Sequence, residues 1–384
     1  MKRIYLDHAA TTPVDPRVFE LMRHYFSEHF GNPASRTHAF GWEAEEAIET
    51  ARAQVAALLG VEPRAVVWTS GATESINTAL QGLAWPASPG PYHLITTRAE
   101  HSAARDTCLA LERRGVDVTW LGVDAHGRLD LAELRGAIRP ETRVVSILHA
   151  NNETGVVQDL AAIGALCRER GVLLHADVTQ SLGKIPLALS DWGVDLASAS
   201  AHKLCGPKGV GALYLRRRDP RVVLEPLLYG GGQERGLRSG TSNVPGIVGF
   251  GAAAALALGE MAQESIRVAA LRDRLEAGLT HSHPELVRNG SGVERLPGLA
   301  NVRFDGVGSE ALLLALPAIA LSAGSACASA SLEPSHVLLA MGQSEAEARG
   351  AVRFSLGRTT TDEEIDATIG LVSAAVSRLC STGG

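Results

Sequence analysis

The chain has 384 residues, with 36 Lys and Arg against 42 Asp and Glu, so its formal net charge is −6. This acidic balance argues against a nucleic-acid-binding protein, because such domains are usually strongly basic. Apolar residues make up 45 % and charged residues 20 %, which is ordinary globular usage and excludes long disorder, collagen and coiled coil.

Short β-branched runs alternate with helical patterns over the first half of the chain. Strands are predicted at 66–69, 93–97, 116–121, 144–149, 172–176, 195–200 and 209–215. Helices are predicted between them at 73–83, 101–114 and 160–170. This alternation predicts an α/β fold with a mostly parallel sheet covered by helices.

The second half of the chain has a different pattern. A long helical segment is predicted at 247–279. Shorter segments follow at 299–304, 310–316 and 351–355, and a terminal helix is predicted at 362–379. Because this part is shorter and more mixed, we expect a second, α+β domain.

Polar groups follow five neighbouring strands, where ligands of open α/β sheets bind. They are Ser70-Gly71-Ala72-Thr73, Glu100-His101, Asn151-Asn152, Asp177 with Gln180, and Ser200-Ala201-His202-Lys203. The set contains a helix N-terminus suited to a phosphate, an acid, an amine and an imidazole. Pyridoxal phosphate needs such groups for its phosphate, its ring nitrogen and its aldehyde.

Each of these motifs alone has a structural alternative. The Ser-Gly-Ala-Thr turn can be a plain strand-to-helix connection, Asp177 a helix cap, His101 a surface histidine and Lys203 a solvated charge. Only four of the 36 basic residues are lysine. Arginine cannot replace lysine where the amine must lose a proton and attack a carbonyl, so a lysine in this chain favours a chemical role.

Signatures of several other sites are missing from the sequence. It contains no GxGxxG after a strand, no GxxxxGK[ST], no HExxH and no GxSxG. His281-Ser282-His283 has no partner spacing for a metal, and we interpret it as a structural loop. A dinucleotide, P-loop, zinc-protease or serine-hydrolase site is therefore not expected.

The five cysteines are scattered, odd in number and never spaced as CxxC, which indicates a reducing compartment. The N-terminus has no apolar signal core, and the longest apolar runs are shorter than a membrane span. We therefore expect a soluble cytoplasmic protein. Cys327 lies in a stretch of Ser, Ala and Gly over 322–334. Such a stretch favours an exposed, reactive thiol, although a linker that happens to hold a cysteine is the alternative.

These motifs together resemble those of the cysteine desulfurases, in the long-loop group typified by the nitrogen-fixation and housekeeping iron–sulfur enzymes. The matching segments are YLDHAATTP (5–13), GNPASRTHAFG (31–41), TSGATES (69–75), EHSA (100–103), HANNETG (149–155), HADVTQ (175–180), SAHK (200–203), GPKGVGALY (206–214), GGGQERGLRSGT (230–241), SAGSACASASLEPSHVL (322–338) and RFSLGR (353–358). The resemblance implies a fold-type I pyridoxal-phosphate transferase of the class V aminotransferase superfamily. It implies a large cofactor domain with a mostly parallel seven-stranded sheet over 13–255. A smaller α+β domain, which carries the Cys327 loop, is implied over 1–12 and 256–384.

The resemblance also implies residue roles. Lys203 would form the Schiff base and move the substrate proton, Asp177 would pair with the pyridine nitrogen, and His101 would stack on the ring. Arg353, with Asn152 beside it, would bind the substrate carboxylate, and Cys327 would accept sulfur. The implied cofactor-binding set is Ala72, Thr73, His101, Asn152, Asp177, Gln180, Ser200, His202, Lys203 and, from the other subunit of a homodimer, Thr241.

The implied activity converts L-cysteine to L-alanine with a persulfide on Cys327. The sulfur would pass to an acceptor protein, an iron–sulfur scaffold or a tRNA-thiolation carrier, with no nucleic acid or membrane as partner. The housekeeping enzymes carry a C-terminal extension that docks the scaffold, and this sequence stops soon after Cys380, so the acceptor stays open. The alternatives are a selenocysteine lyase, an aminotransferase-like enzyme, and a non-catalytic partner protein in which Cys327 binds a metal or another chain.

Overall fold

A computed structural model describes residues 3–84, 92–217, 221–324 and 333–382 of the chain. The strands are β1 Ile4–Tyr5, β2 Val66–Thr69, β3 His93–Thr97, β4 Asp117–Leu121, β5 Thr142–Leu148, β6 Leu173–Asp177, β7 Leu196–Ser200, β8 Gly211–Leu215, β9 Val287–Arg288, β10 Leu299–Arg303, β11 Ile319–Ala320 and β12 Ala351–Ser355. The helices are α1 Pro16–Ser27, α2 Ala39–Leu59, α3 Ala72–Ala84, α4 Ser102–Glu112, α5 Leu131–Ala137, α6 Leu160–Arg170, α7 Leu189–Trp192, α8 Val244–Ser282, α9 Ser309–Ala315, α10 His336–Ala340, α11 Glu345–Arg349 and α12 Asp362–Thr382.

The main sheet has seven strands in the order β2-β8-β7-β6-β5-β3-β4. Strand β8 runs antiparallel to both of its neighbours, and the remaining neighbouring pairs are parallel. Strands β2, β3, β7 and β8 are buried along their whole length. Continuous burial is typical of a sheet covered by helices on both faces. The predicted α/β fold is therefore confirmed, and all seven predicted strands are present, two with the predicted bounds and five with ends shifted by one or two residues.

The helices α1 and α2 precede the sheet and were not part of the predicted alternation. Helix α1 has Asp15 as its N-cap, which accepts a hydrogen bond from the Arg17 N–H, followed by Pro16. Helix α2 ends at Gly60, whose φ of 68° is left-handed. An Asp-Pro start and a glycine stop are sequence signals for helix ends. These signals, rather than the strand alternation, could have located both helices.

Helix α8 joins two separate apolar cores. Its first part contributes Val244, Phe250 and Ala257 to the core around the main sheet, and its last part contributes Val268 and Leu279 to a second core. Helix α8 is long and apolar enough to span a bilayer, a property that buried core helices of other proteins share. Over half of its most apolar stretch is buried inside the protein. The predicted domain boundary at residues 255 and 256 falls inside this helix. The division into two domains stays a prediction, and the two cores are in line with it.

Ile4 and Leu6 belong to the second core, and the residues that follow them lie along the edge of the main sheet. Strand β1 pairs with β11 in parallel, and Asp7 forms a bridge to Ser355 of β12. Beyond this point the Thr12 N–H donates to the His202 carbonyl at 3.0 Å. Residues 8–12 therefore lie across the carboxyl end of β7, where the site is found.

Candidate cofactor and substrate site

A cavity of about 450 Å³ opens at the carboxyl ends of β2, β6 and β7. Ligands of such sheets bind at this edge. The cavity brings together ten of the residues predicted from the sequence, namely Ala72, Thr73, His101, Asn152, Asp177, Gln180, Ser200, His202, Lys203 and Arg353. Its remaining wall includes the N-terminal residues Ala9, Ala10 and Thr11.

One end of the cavity is formed by the turn between β2 and α3. Helix α3 begins at Ala72, directly after this turn, so its first backbone N–H groups face the cavity with the positive end of the helix dipole. A Cβ on Gly211 of β8 would lie 2.5 Å from the Gly71 Cα, so the sheet and the turn can meet only through glycine. The Ser75 hydroxyl donates to the Gly71 carbonyl at 3.1 Å. Close packing and this hydrogen bond fix the turn.

Lys203 lies in a single 3-10 turn, Ala201–Lys203, that follows β7. Its Nζ donates to the carbonyl oxygens of Ala9 and Ala10, each at 2.6 Å. Two residues later Cys205 has a φ of 63°, a left-handed conformation that is uncommon and costly for a residue other than glycine. The strained turn and the N-terminal carbonyls therefore hold the amine at the floor of the cavity.

Asp177 and His101 come from two neighbouring strand ends. Asp177 is the last residue of β6, and its Oδ1 accepts a hydrogen bond from the Thr179 N–H at 2.9 Å. The sequence pattern placed His101 inside a helix. That expectation is wrong, because His101 is the N-cap of α4 and its Nδ1 accepts from the Ala103 N–H at 3.1 Å. Burial lowers the pKa of His101, and the Asp177 charge opposes this shift. The ring is therefore neutral at pH 7, with its proton on Nε2.

Arg353 of β12 is buried, with 1 % of its surface exposed, and its guanidinium has two partners on other elements. One nitrogen donates to the Asn152 carbonyl at 2.8 Å and another to the Asp7 carboxylate at 2.7 Å. The segment YLDHAATTP contains Asp7, but no pattern in the sequence singles out this residue. Its role becomes visible only where β1 and β12 meet.

The comparisons with known proteins place the chain in a family. The aminotransferase class-V family model matches residues 4–368. Cysteine desulfurase IscS from Anaeromyxobacter sp. (strain Fw109-5) is 56 % identical over 376 residues, which are 98 % of this chain and 93 % of that protein. The chain belongs to the cysteine desulfurase family. The family prediction is therefore confirmed.

Two solved structures are also similar to this chain. A protein described as NifS-like is 38 % identical with a TM-score of 0.91, covering 98 % of this chain and 100 % of its own. A structure described as SspA in complex with cysteine is 37 % identical with a TM-score of 0.79, covering 93 % of this chain and 100 % of its own. Both likenesses extend over nearly the whole desulfurase-family chain.

Class-V aminotransferases and cysteine desulfurases depend on pyridoxal 5'-phosphate, so the cofactor prediction is confirmed. The cavity of this desulfurase-family chain fits that group. It offers N–H donors and hydroxyls at one end, a buried carboxylate beside a histidine in the middle, and an amine at the floor. The Oδ1 of Asn152 is buried and has no hydrogen-bond partner among residues 3–84, 92–217, 221–324 and 333–382. A bound polar ligand would satisfy this oxygen.

Two predicted site residues of this desulfurase-family chain are not in the cavity. Thr241 is exposed and does not line it. Cys327 lies outside the described residues, which stop at 324 and resume at 333. The described residues that precede this gap lie next to β12, because the Arg353 N–H donates to the Ser322 carbonyl at 2.7 Å.

Two ionisable groups near the site, the buried Glu100 and the half-buried Lys184, have no predicted role in the sequence analysis. Burial raises the pKa of Glu100, which precedes His101, to about 8. Lys184 donates to the Gln180 side chain at 2.8 Å. The scarcity of lysine was a usable signal for Lys184, whereas the burial of Glu100 has no sequence signature.

Proposed function

We propose that this chain converts L-cysteine to L-alanine and holds the released sulfur as a persulfide on Cys327. The observation that carries the proposal is the single cavity that joins Lys203, Asp177, His101 and Arg353 in a chain of the cysteine desulfurase family. When bound, pyridoxal phosphate supplies an aldehyde for the Lys203 amine and a ring that accepts electron density.

The residues at the rim hold and orient the cofactor. The N–H groups of Ala72 and Thr73, with Ser200 and His202, bind its phosphate. The pKa of His202 falls to about 4, chiefly through burial, so this ring is neutral and binds as a hydrogen-bond partner rather than a charge. Asp177, held by the Thr179 N–H, keeps the ring nitrogen protonated. The neutral His101 ring lines the cavity and would hold the cofactor ring from one side.

Arg353 and Lys203 act on the substrate. The guanidinium binds the substrate carboxylate, and its bonds to Asp7 and the Asn152 carbonyl fix the direction of its remaining donors. The Lys203 amine, held near the Ala9 and Ala10 carbonyls, removes the proton from the substrate Cα. An arginine in its place would stay protonated and could not act as a base.

The sulfur step needs a thiolate. Cys327 attacks the substrate sulfur, an S–S bond forms, and the carbon–sulfur bond breaks. The electron pair of that bond stays with the substrate carbon, which takes up a proton on the way to alanine. The persulfide sulfur then passes to an acceptor thiol. This step needs no external oxidant, because the substrate carbon takes the electron pair of the broken bond. L-cysteine is the only sulfur source that it requires.

The direct experiment supplies the purified, cofactor-loaded protein with L-cysteine and a thiol reductant. Alanine and sulfide are expected in equal amounts. A keto acid with no sulfide would instead identify an aminotransferase-like enzyme. Turnover of L-selenocysteine with none of L-cysteine would identify a selenocysteine lyase, and no reaction with either would favour a partner protein. Each of these outcomes overturns the proposal.

The assembly belongs to the same proposal. The protein forms a homodimer in the cytoplasm in which Thr241 of one subunit reaches the phosphate in the other. Thr241 is exposed in the isolated chain, as a residue that serves a second subunit must be. Large apolar side chains on and near α1 and α2 are exposed as well, namely Phe19, Leu21, Phe26, Phe30, Phe40 and Trp42. Exposed apolar patches of this kind mark protein interfaces.

A further inference from the structure

Lys184 is a second lysine beside the catalytic one. It and Lys203 both line a smaller cavity of about 90 Å³ next to the cofactor cavity. The Nζ of Lys184 donates to the Gln180 Oε1 at 2.8 Å. The ion pairs within the described ranges include none with Lys184. Lys184 is half-buried, and a half-buried amine without a carboxylate is costly, so its presence in a chain with four lysines calls for a reason.

Basic groups dominate the surroundings of Lys184, while the one carboxylate among the described residues that line the same cavity, Glu264, is paired with Arg267 at 3.0 Å. Lys203, Cys205 and Arg353 act on it directly, and Lys184 in turn acts on His8 and His202. Burial, followed by the charge of Lys203, lowers the pKa of Lys184 to about 7. The two lysines therefore oppose each other's protonation across the floor of the site.

Lys184 and Ala9 together fix the amide of Gln180. The Ala9 carbonyl only accepts, so the nitrogen of the amide faces it at 2.9 Å. The amide oxygen then faces the amine of Lys184. The same Ala9 carbonyl accepts from the Lys203 Nζ. A continuous set of hydrogen bonds thus runs from Lys184 through Gln180 and Ala9 to the catalytic amine.

We propose that Lys184 is a positioning residue, which holds the Gln180 Nε2 toward the ring of the cofactor as a donor and disfavours a second positive charge at Lys203. This inference rests on the proposed function, because it takes Gln180 and Lys203 as cofactor residues. An amide has two hydrogens on Nε2, and the bond to Ala9 uses one of them. The other is directed to an acceptor in the cavity, such as the ring oxygen.

The test is a pH titration of the visible absorbance of the cofactor-loaded protein, without substrate. Lys184→Met removes the charge and the donor while keeping a similar volume. Without the charge of Lys184, a positive charge on the Lys203 nitrogen would be less disfavoured, so the midpoint is expected to rise by about one pH unit. Lys184→Arg keeps a donor and stays charged at every pH, so its midpoint is expected at or below that of the wild type and never above it. An unchanged midpoint in Lys184→Met overturns the inference.

Matched variants separate this role from a general effect of charge or folding. Arg135→Met removes a charge from the exposed Arg135–Glu169 pair and is expected to leave the midpoint unchanged. Lys184→Gln is the second variant if Lys184→Met does not fold, and an unshifted midpoint there also overturns the inference. In the Gln180→Leu background, Lys184→Met is expected to shift the midpoint less, because part of its effect passes through Gln180. A full, additive shift in that background would contradict the route through Gln180.

The inference and the proposed function fail in different ways. A wild-type protein that shows no visible cofactor band, and no alanine from L-cysteine, contradicts the proposed function. A wild type with both, but with a Lys184→Met midpoint that does not move, contradicts only the role of Lys184.

Discussion

The guanidinium of Arg353 donates to the carboxylate of Asp7 at 2.7 Å, although 346 positions separate the two residues in the chain. The contact joins the segment after β1 to β12 at the rim of the cofactor cavity. The same Asp7 Oδ1 also accepts from the Ser322 hydroxyl at 2.9 Å. One carboxylate therefore ties together the N-terminal segment, the substrate arginine and the chain that leads toward the Cys327 segment.

Replacement of Arg353 by lysine tests its role toward the substrate. Lysine cannot contact Asp7, the Asn152 carbonyl and a carboxylate in one fixed plane. We expect the KM for L-cysteine to rise by roughly 10- to 100-fold, the worth of one charged hydrogen bond, with the cofactor still bound. Steady-state kinetics and cofactor absorbance provide the measurement. Arg349→Lys on the exposed end of α11 is the control, and an unchanged KM in Arg353→Lys would refute the assignment.

Replacement of Lys203 by alanine should stop the reaction without emptying the site. The other contacts to the phosphate and the ring nitrogen remain, so the cofactor should bind non-covalently. Arginine at this position should be inactive too, because its guanidinium does not lose its proton. Alanine production and release of cofactor on dialysis are the measurements. Turnover by Lys203→Ala at the wild-type rate would show that another group is the base.

Mass spectrometry after L-cysteine treatment locates the persulfide. We expect one added sulfur on Cys327 and none after Cys327→Ser. Burial raises the pKa of Cys167 to about 12 and also raises the pKa of Cys108 and Cys205, so these thiols stay protonated. Cys380 is exposed, which makes Cys380→Ser the matched control. Sulfur on any of these four with Cys327 unmodified would sink the mechanism.

Glu100 predicts a pH dependence of stability. Its folded pKa, raised by burial to about 8, lies above the ordinary value of 4.5. The folded state therefore binds more protons than the unfolded state between these values, and its free energy of unfolding falls as pH rises from 4.5 to 8. Glu100→Gln mimics the protonated acid and is expected to be more stable than the wild type at pH 9. Thermal unfolding at pH 6 and pH 9 tests this, and equal stabilities at pH 9 would contradict it.

The proposed homodimer predicts that Thr241 of one subunit contributes to cofactor binding in the other. Thr241→Ala should weaken cofactor binding, because it removes a phosphate donor supplied by the second subunit. Ser242→Ala, the adjacent change, is the control and should have no effect. Equilibrium dialysis and ultracentrifugation are the measurements. A fully active monomer would overturn both the dimer and this role.

Local signals were enough to predict most elements and to name ten residues that share one cavity. Strand β6 ends in Asp177, and strand β7 is followed by the turn that contains Lys203. A run of mostly apolar residues that ends in a polar group can be recognised from residues adjacent in the chain. His101 was placed correctly in the site but wrongly inside a helix, because the pattern cannot separate an N-cap from the first helical residue.

The sequence by itself predicted the mostly parallel α/β architecture and grouped Lys203 with the other polar strand-end residues that line the cavity, since each of these residues lies within one strand and the turn that follows it. Only the tertiary structure decided that β8 runs antiparallel, that Asp7 binds Arg353 and that Lys184 faces Lys203 through Gln180. Strand direction, partners far apart in the chain and the burial that shifts pKa values all depend on how distant segments pack. A linear pattern holds no record of that packing, because the free energy of a buried charge is set by neighbours that meet only in the folded state.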